Sequence, residues 1–385
     1  MKEFITTKNF GPLKNIENLE IKQFTLLIGE SASGKSTLMK VVAMMRYLYK
    51  MANIRSYLHH SKITKSPFRI RLDQMIKRQE MSKMFTKDSL IVYRVQMEDG
   101  TPYEVRIENG KLQKTEIIAQ QHLMFAKVSY ISENRNIIPT WTQTSWRNKG
   151  ATLGFYFHET NDDFGNASDG DKELLMEYVG MKLIITHPKG KPTRYQIMPL
   201  DGRHGLIELT EASSGIQTSA PLALILDNFA KEFSFKDAFN RSVMSYLYEM
   251  ENLSKFKAVA EPTALPKVVD IHIEEPELSL FPDAQCELIE KIVYTALHAE
   301  NDRTINMMLA THSPYILNYL NIMLNQEDAG RYARLTPELL SVYRLYEGKI
   351  QNLVAKDDIG RDIVDSYDLS EMMSKIYNTF TQFGV

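Results

Sequence analysis

The chain has 385 residues, of which 43% are hydrophobic and 24% charged, and its formal net charge is −2 at pH 7. This composition is typical of a globular protein with one large domain or two, and it gives no global signature of nucleic-acid binding. No apolar run reaches membrane-spanning length, the first residues do not read as a signal peptide, and the single cysteine, Cys286, excludes an internal disulfide and a cysteine-based zinc cluster. We therefore expect a cytoplasmic protein without membrane contact.

The first predicted strand and helix enclose a phosphate-binding motif. Residues 24–28 form an apolar run typical of a buried strand, and residues 38–45 are expected to continue as a helix. The sequence between them matches the pattern G-x-x-x-x-G-K-[ST], in which glycines let successive N–H groups face a triphosphate. The lysine of such loops reaches the outer phosphates, and the following serine hydroxyl binds Mg²⁺. The predicted nucleotide-binding residues are Gly29, Glu30, Ser31, Ala32, Ser33, Gly34, Lys35, Ser36 and Thr37, and Ser36 is also a predicted metal ligand.

The next part of the chain, residues 38–88, is expected to be mainly helical and contains a basic segment. Residues 62–87 carry eight basic side chains against two acidic ones, Asp73 and Glu80. The basic residues are Lys62, Lys65, Arg69, Arg71, Lys77, Arg78, Lys83 and Lys87. A solvated helix face and a DNA or RNA contact both explain such a segment, and both remain open.

Hairpins and a further helix are predicted after this segment. Asp99-Gly100 and Asn109-Gly110 separate alternating runs within residues 89–118, which is typical of hairpins. A helix is predicted over about 172–178, and strands are predicted over 193–210.

Small residues then precede an apolar helix predicted over about 221–233. Ser213, Ser214 and Gly215 expose backbone N–H groups and hydroxyls where a helix begins, which can form an anion site. Taken alone, this triplet indicates only a loop.

Two later strands are expected to end in polar residues. Residues 268–274 form a β-rich run that ends in consecutive carboxylates, and a parallel strand delivers such groups to the ligand-binding edge of its sheet. Glu274 is the predicted metal ligand, and Glu275 is the predicted general base that polarises the attacking water. Residues 307–311 form the second strand, and His312 after it is predicted to contact the γ-phosphate or to orient this water.

Taken in order, these motifs resemble those of the ABC-type ATPases of the SMC, RecF and OLD kind. Residues 211–215 resemble the signature motif, with Ser213 at the position of its serine. Residues 274–282 resemble the Walker B and D-loop of OLD-type defence ATPases, and residues 310–317 resemble their switch. The 239 residues that separate Lys35 from Glu274 exceed what a RecA-like core needs.

The chain also departs from this family at two places. Ile216 stands where many signatures carry Gln or Glu. Residues 130–135 read Tyr-Ile-Ser-Glu-Asn-Arg where family members often show "YIPAER", so Asn134 replaces a Glu while Arg135 is kept. Arg135 therefore remains a candidate for the nucleotide site.

The resemblance implies an α/β fold, namely a P-loop ABC-type ATPase head whose mixed sheet is flanked by helices, with an inserted α+β or helical lobe. Residues 1–50 and 205–350 would form the core, 51–204 the lobe, and 351–385 a C-terminal helix that packs on the core. The implied cofactors are ATP and Mg²⁺. In the implied homodimer or higher homo-oligomer, Ser213 and Gly215 of one protomer cap the γ-phosphate that Lys35 of the other holds.

The resemblance implies a function only in outline. No nuclease centre is recognised after the ATPase motifs, so we expect a switch subunit that controls a separate nuclease or toxin in bacterial anti-phage defence. The alternative is a RecF-like or SMC-like ATPase of DNA repair or maintenance that clamps DNA through residues 62–87. A transporter ATPase is a third reading, which Ser214, Ile216 and the missing Q-loop pattern disfavour.

Overall fold

The computed structural model of this chain describes most of its length. The described residues are 1–63, 71–143, 153–202, 205–244, 247–248, 256–259, 264–300, 302–326 and 334–382. Of the basic residues predicted to contact nucleic acid, Lys65 and Arg69 lie outside the described residues.

The strands and helices alternate along the chain and are numbered here in order. The strands are β1 (Lys2–Phe10), β2 (Leu13–Ile21), β3 (Phe24–Gly29), β4 (Leu90–Gln96), β5 (Pro102–Glu108), β6 (Lys111–Leu112), β7 (Phe125–Ile131), β8 (Lys172–Met176), β9 (Met181–Thr186), β10 (Arg194–Pro199), β11 (Ile207–Glu208), β12 (Lys267–Glu274), β13 (Arg303–Thr311), β14 (Leu340–Tyr346), β15 (Lys349–Asn352), β16 (Val354–Lys356) and β17 (Asp362–Val364). The helices are α1 (Lys35–His60), α2 (Leu72–Arg78), α3 (Ile138–Gln143), α4 (Phe155–Ala167), α5 (Ser214–Asp227), α6 (Phe235–Phe239), α7 (Pro282–Leu297), α8 (Pro314–Asn325) and α9 (Tyr367–Gln382).

A six-stranded mixed sheet forms the centre of the molecule. Its strand order is β15-β14-β3-β13-β12-β7, in which β14, β3, β13, β12 and β7 run parallel and β15 is the antiparallel edge. The middle strands are apolar and buried along most of their length, as expected for parallel strands covered on both faces. The α/β fold with a mixed sheet flanked by helices is therefore confirmed.

A second, antiparallel sheet packs on the long helix that follows the phosphate-binding motif. Its order is β2-β1-β4-β5-β6, and helix α1 contacts both β4 and β5 of this sheet and four strands of the central sheet. β4 and β5 come from the range predicted as an inserted lobe, and β4 pairs with β1 of the predicted core. β7 from the same range pairs with β12 of the central sheet. The division into core and lobe stays a prediction, but these pairings join the two ranges within both sheets.

Two local predictions differ from the structure. Residues 172–178, predicted to be helical, form β8 and a short 3₁₀ turn, because β8 pairs antiparallel with β9. The apolar helix begins earlier than predicted: α5 begins at Ser214 and ends at Asp227, with Pro221 inside it, and Asn228–Glu232 continue as a π-helical turn.

That the C-terminal helix α9 packs on the core stays a prediction. The side chains of residues 374–381, which belong to this helix, are exposed. Among the helices of the described ranges, none is both long and apolar enough to cross a lipid bilayer.

A buried ionic network connects the two sheets through helix α1. The guanidinium of Arg46 donates to Glu3 Oε2 at 2.9 Å and lies 3.6 Å from Asp270 Oδ1 on β12. Tyr93 on β4 donates its hydroxyl to the same Glu3 oxygen at 2.6 Å, and Asn306 on β13 donates to Asp270 at 2.9 Å. Because these charges are removed from water, each depends on its partners. The network therefore links the antiparallel sheet to the strand that ends at Glu274.

Candidate functional site

The candidate site lies where the parallel strands of the central sheet end. In the register of the sheet, Glu274 at the end of β12 pairs with Ala310, and Thr311 at the end of β13 pairs with Ile28 on β3. Since carboxyl ends of parallel strands meet at one edge, the residues that follow these strands share it. The phosphate-binding loop, the Glu274-Glu275 pair and His312 therefore lie together.

The phosphate-binding loop joins β3 directly to α1. Gly29 ends the strand with a φ of 155°, and a Cβ at this position would lie 2.3 Å from the Leu345 carbonyl oxygen. Gly34 caps the helix with a φ of 104°, and helix α1 begins at Lys35. Glycine is needed at both positions because L side chains are strained or blocked there. The loop wraps the N-terminus of a 26-residue helix, which is the arrangement that favours phosphate.

Lys35 holds its own loop closed. Its Nζ donates to the carbonyl oxygens of Gly29 at 2.7 Å and Glu30 at 2.9 Å. Burial lowers the pKa of this ammonium, while the carboxylates of Glu275 and Glu277 oppose the shift. The ammonium thus lies in the loop with two carbonyls as partners that phosphate oxygens can replace. Ser33 of the same loop contributes a buried hydroxyl that has no hydrogen-bond partner in the described part of the chain.

Glu274 has a buried carboxyl group whose two oxygens differ in their surroundings. It is 3% exposed, its Oε2 has no hydrogen-bond partner among the described residues, and its Oε1 lies 4.0 Å from Lys40 Nζ. Burial raises the pKa of Glu274 to about 7, and the neighbouring Glu133 carboxyl adds to the shift. Nearby positive charge favours the ionised form of such a group.

These groups fit an Mg²⁺ that is shared with a nucleotide. The described residues contain no cluster of three or more His, Cys, Asp or Glu side chains arranged to hold a metal. Mg²⁺ usually takes one or two carboxylates and completes its shell with waters and substrate phosphates. The free oxygen of Glu274 and the exposed hydroxyl of Ser36 at the start of α1 are donors of the required type.

Glu275 and His312 form a pair at the opening of the site. Glu275 Oε1 lies 3.7 Å from His312 Nε2, and both side chains are more than one-third exposed. Glu275 adopts a φ of 42°, and its N–H donates to the Ala310 carbonyl at 2.8 Å. A positive φ is uncommon for a residue with a Cβ and often occurs where a side chain is positioned for function. His312 is fixed from the other side because its backbone N–H donates to Glu277 Oε1 at 2.7 Å.

Arg135 differs from the expectation that it contacts the nucleotide. Its side chain is fully buried, and its guanidinium donates to backbone carbonyls rather than facing solvent. The acceptors are Ser132, Thr218, Glu274, Glu275 and Pro276, at 2.6 to 3.4 Å. Burial lowers the pKa of this guanidinium to about 10. Arg135 therefore holds the backbone of the acidic turn and ties it to α5.

Residues 213–215 lie at the start of α5, next to the turn that follows the acidic strand. A Cβ at Gly215 would lie 2.7 Å from the carbonyl oxygen of Ser279. Ser213 and Ser214 are exposed, and the side chain of Ser213 does not cap its own helix. Among the described residues, no hydrogen bond or ion pair joins residues 213–215 to the phosphate-binding loop of the same chain.

Sequence reasoning did not assign several residues that shape this site. Glu277 accepts the His312 N–H, and Glu133 raises the pKa of Glu274. Gln285 on α7 accepts from the Ser313 hydroxyl at 2.5 Å and donates to the Leu280 carbonyl at 2.8 Å. The sequence Glu-Glu-Pro-Glu could have pointed to Glu277, whereas no local sequence pattern identifies Gln285 or Lys40 as a residue of the site.

Of the known proteins compared with this chain, only solved structures are similar to it. No protein-family model matches the chain, and no curated protein matches its sequence. An SMC head bound to the C-winged-helix domain of ScpA is 10% identical, with 91% of this chain and 97% of that chain covered and a TM-score of 0.36. The SMC head domain from Thermotoga maritima is also 10% identical, with 92% and 99% covered and a TM-score of 0.35. Such low identities and TM-scores carry no argument about activity, so the site rests on this chain's own geometry.

Proposed function

We propose that this protein binds ATP and hydrolyses it at the carboxyl edge of its central sheet. The observation that carries the proposal is the register of β3, β12 and β13. This register brings the phosphate-binding loop to the same place as the Glu274-Glu275 pair and His312. A phosphate cradle, a buried carboxylate and a partly exposed carboxylate beside a histidine are the groups that nucleotide hydrolysis needs.

Each residue has a definite task in this reaction. The loop N–H groups and Lys35 bind the phosphates, and Lys35 exchanges its two carbonyl partners for phosphate oxygens. Bound Mg²⁺ would neutralise phosphate charge, with Ser36 and Glu274 as its protein ligands. Glu275 accepts a proton from the attacking water, and His312 orients the same water or contacts the γ-phosphate.

Lys35→Ala tests nucleotide binding. Removing the ammonium takes a charged donor from the phosphates, so we expect ATP affinity to fall by about 100-fold or more. Titration calorimetry with ATP and Mg²⁺ measures this loss. Lys236→Ala is the control and should bind ATP normally, because Lys236 is an exposed residue of α6, whose Phe235 packs on Arg303 at the opposite, amino end of β13. Micromolar affinity in Lys35→Ala would refute the assignment of the loop.

Glu275→Gln tests hydrolysis separately from binding. The amide keeps the shape of the side chain but cannot accept the water proton, so we expect turnover to fall by about 100-fold to 10,000-fold. ATP affinity should be retained, because the residue is not part of the phosphate cradle. Equal phosphate release by the variant and the wild type would remove Glu275 from this role.

We further propose that ATP turns this protein into a dimeric switch that controls a separate effector, a nuclease or a toxin, in bacterial anti-phage defence. Support comes from the resemblance of residues 274–282 and 310–317 to OLD-type defence ATPases. Affinity purification of Glu275→Gln from its native host with ATP tests the proposal. An associated nuclease or toxin supports it, and an ATPase isolated with nucleic acid alone contradicts it.

The alternative is an ATPase of DNA repair or maintenance that clamps DNA. Its support is the exposure of Lys62, Lys77, Lys83 and Lys87 in the basic segment. Under this alternative, duplex DNA accelerates ATP hydrolysis and the acceleration is lost in the double variant Lys77→Ala/Lys87→Ala. Turnover that DNA does not change excludes the clamp.

A further inference from the structure

A separate cavity lies between helix α1, helix α2, strand β7 and helix α4. It encloses about 390 Å³, which is within the range of small-molecule sites. Its lining contains no residue of the phosphate-binding loop, of the acidic turn or of the switch after β13. The cavity is therefore a candidate site that shares no predicted residue with the proposed ATP site but lies beside it, because Tyr130 and Tyr156 of the lining interact with Glu274.

Three buried polar groups of the lining have no hydrogen-bond partner among the described residues, and the Tyr130 hydroxyl is one of them. Gln79 is 8% exposed and Tyr156 is 9% exposed, and no described residue forms a hydrogen bond with the Gln79 Oε1 atom or with the Tyr156 hydroxyl. Burying such groups without hydrogen bonds costs free energy, so native proteins rarely leave them unpaired. A ligand in the cavity that offers an N–H donor and a second polar atom would form hydrogen bonds with both Gln79 and Tyr156.

The other walls are aromatic and basic. The rings of Tyr47, Phe155 and Tyr156 line the cavity together with Arg71 and Arg78. Both arginines are exposed, and neither forms an ion pair with a carboxylate among the described residues. Guanidinium groups bind phosphate bidentately, and aromatic faces stack on planar rings. The cavity thus offers a wall of aromatic rings for stacking next to two exposed guanidinium groups.

The lining also contains one carboxyl group, that of Glu159. Burial raises the pKa of Glu159, the nearby Asp163 and Asp162 carboxylates add to the shift, and Lys127 and Lys50 oppose it.

We propose that this cavity binds a nucleoside phosphate, with the base against the tyrosines and the phosphate on Arg71 and Arg78. Gln79 Oε1 then accepts from an amino group on the base, and the Tyr156 hydroxyl bonds a ring nitrogen. The ligand is either a free nucleotide or a base of a bound single strand, since both present the same chemistry. The inference is independent of the proposed ATPase activity.

The test uses the full chain with Lys35→Ala, so that the phosphate-binding loop does not bind the probes. Titration calorimetry with AMP, adenosine, ribose 5-phosphate and hexadeoxyadenylate measures affinity, and photo-crosslinking with 8-azido-AMP locates the site. We expect AMP to bind at least about tenfold more tightly than adenosine or ribose 5-phosphate, with crosslinks on Tyr47 or Tyr156. Hexadeoxyadenylate binding without AMP binding would support the same chemistry in a nucleic-acid strand.

Variants of the lining complete the test. Arg78→Ala and Gln79→Leu, each on the Lys35→Ala background, should weaken binding by about tenfold or more. Lys83→Ala, an exposed charge of the same basic segment outside the lining, is the control and should bind normally. Thermal melting verifies that each variant is folded. No binding of any probe, equal binding of AMP and ribose 5-phosphate, or equal losses in Lys83→Ala and Arg78→Ala would overturn the proposal.

Discussion

At Gly215 the start of α5 lies close to the turn after the acidic strand. Its φ is not in the left-handed region, so the need for glycine there is steric rather than conformational. A Cβ would meet the backbone carbonyl of Ser279 at 2.7 Å, and a backbone atom cannot swing away as a flexible side chain can. Even one methyl group therefore forces the helix or the turn to shift.

Gly215→Ala should accordingly destabilise the protein by about 1–3 kcal/mol, the usual cost of overpacking. The matched control is Gly165→Ala in α4, where a Cβ meets no atom within 4 Å. That substitution should stabilise by about 0.4–1 kcal/mol, because alanine loses less chain entropy in a helix. Urea denaturation of both variants gives the two values, and a loss in Gly165→Ala equal to that in Gly215→Ala would contradict the steric argument.

At the scale of elements, Arg135 connects two parts of the site that are distant in sequence. One guanidinium binds the Thr218 carbonyl on α5 and the carbonyls of Glu274 and Glu275 after β12. A displacement of α5 therefore acts on the backbone that carries Glu275. We infer that Arg135 is a positioning residue for the general base.

Arg135→Lys tests this role. A single ammonium cannot reach the same fork of acceptors, so buried carbonyls lose partners and we expect a loss of about 2–3 kcal/mol in the free energy of unfolding. Turnover should fall at least tenfold while KM for ATP changes little, because the phosphate cradle is intact. A purely structural role would lower the folded fraction but leave kcat per folded molecule unchanged.

The buried network around Asp270 gives β12 a pH-dependent stability. Burial raises the pKa of Asp270 to about 6, while Arg46 opposes the shift and Glu3 adds to it. Between about pH 4 and 6 the folded state keeps this proton and the unfolded state has lost it, so stability contributed by the group falls as pH rises. Asp270→Asn removes the titration. Its free energy of unfolding relative to the wild type should rise, on the order of 2 kcal/mol, between pH 4 and pH 7.

Asp302→Asn is the control for this prediction because its carboxyl shifts in the opposite direction. Hydrogen bonds from Arg303 and Lys267 lower the pKa of Asp302. Its stabilising effect is present above its unfolded pKa and fades as pH falls. Urea denaturation at several pH values measures the free energy of unfolding of each variant relative to the wild type. This difference should rise with pH for Asp270→Asn and fall with pH for Asp302→Asn, and the same direction in both variants would disprove the assignment.

At the scale of the whole molecule, the start of α5 is open to a second copy of the chain. Ser213 and Ser214 are exposed, and among the described residues no hydrogen bond or ion pair connects them to the phosphate-binding loop of their own chain. This is the geometry that the proposed ATP-linked dimer needs, in which each α5 caps the nucleotide of the partner. Such an arrangement makes ATP binding and association one equilibrium.

Glu275→Gln should therefore sediment as a dimer with ATP and as a monomer with ADP. Adding Ser213→Arg to this variant puts a bulky charge where the partner's nucleotide would lie, so we expect a monomer that still binds ATP. Adding Ser82→Arg instead, at an exposed position outside the site, should leave the dimer intact. A monomer in Glu275→Gln with saturating ATP, measured by analytical ultracentrifugation, would reject the switch.

The sequence by itself determined the parts of this protein that depend on local pattern. The apolar run, the glycines and the lysine of residues 24–37 specify a strand, a loop and a helix because their constraints act within a few residues. The strands that end at Glu274 and Thr311 were recognisable for the same reason, and the structure places them as predicted.

Only the tertiary structure decided what depends on distant partners. Residues 172–178 became β8 and a turn because β9 supplies a pairing strand, which a helical pattern does not reveal. Arg135 received carbonyl acceptors from residues 83 to 141 positions away, and the pairing of β7 with β12 joined two ranges predicted to be separate. Hydrogen bonds and packing across such separations are set by the assembled fold, since local propensity is weak compared with tertiary contacts.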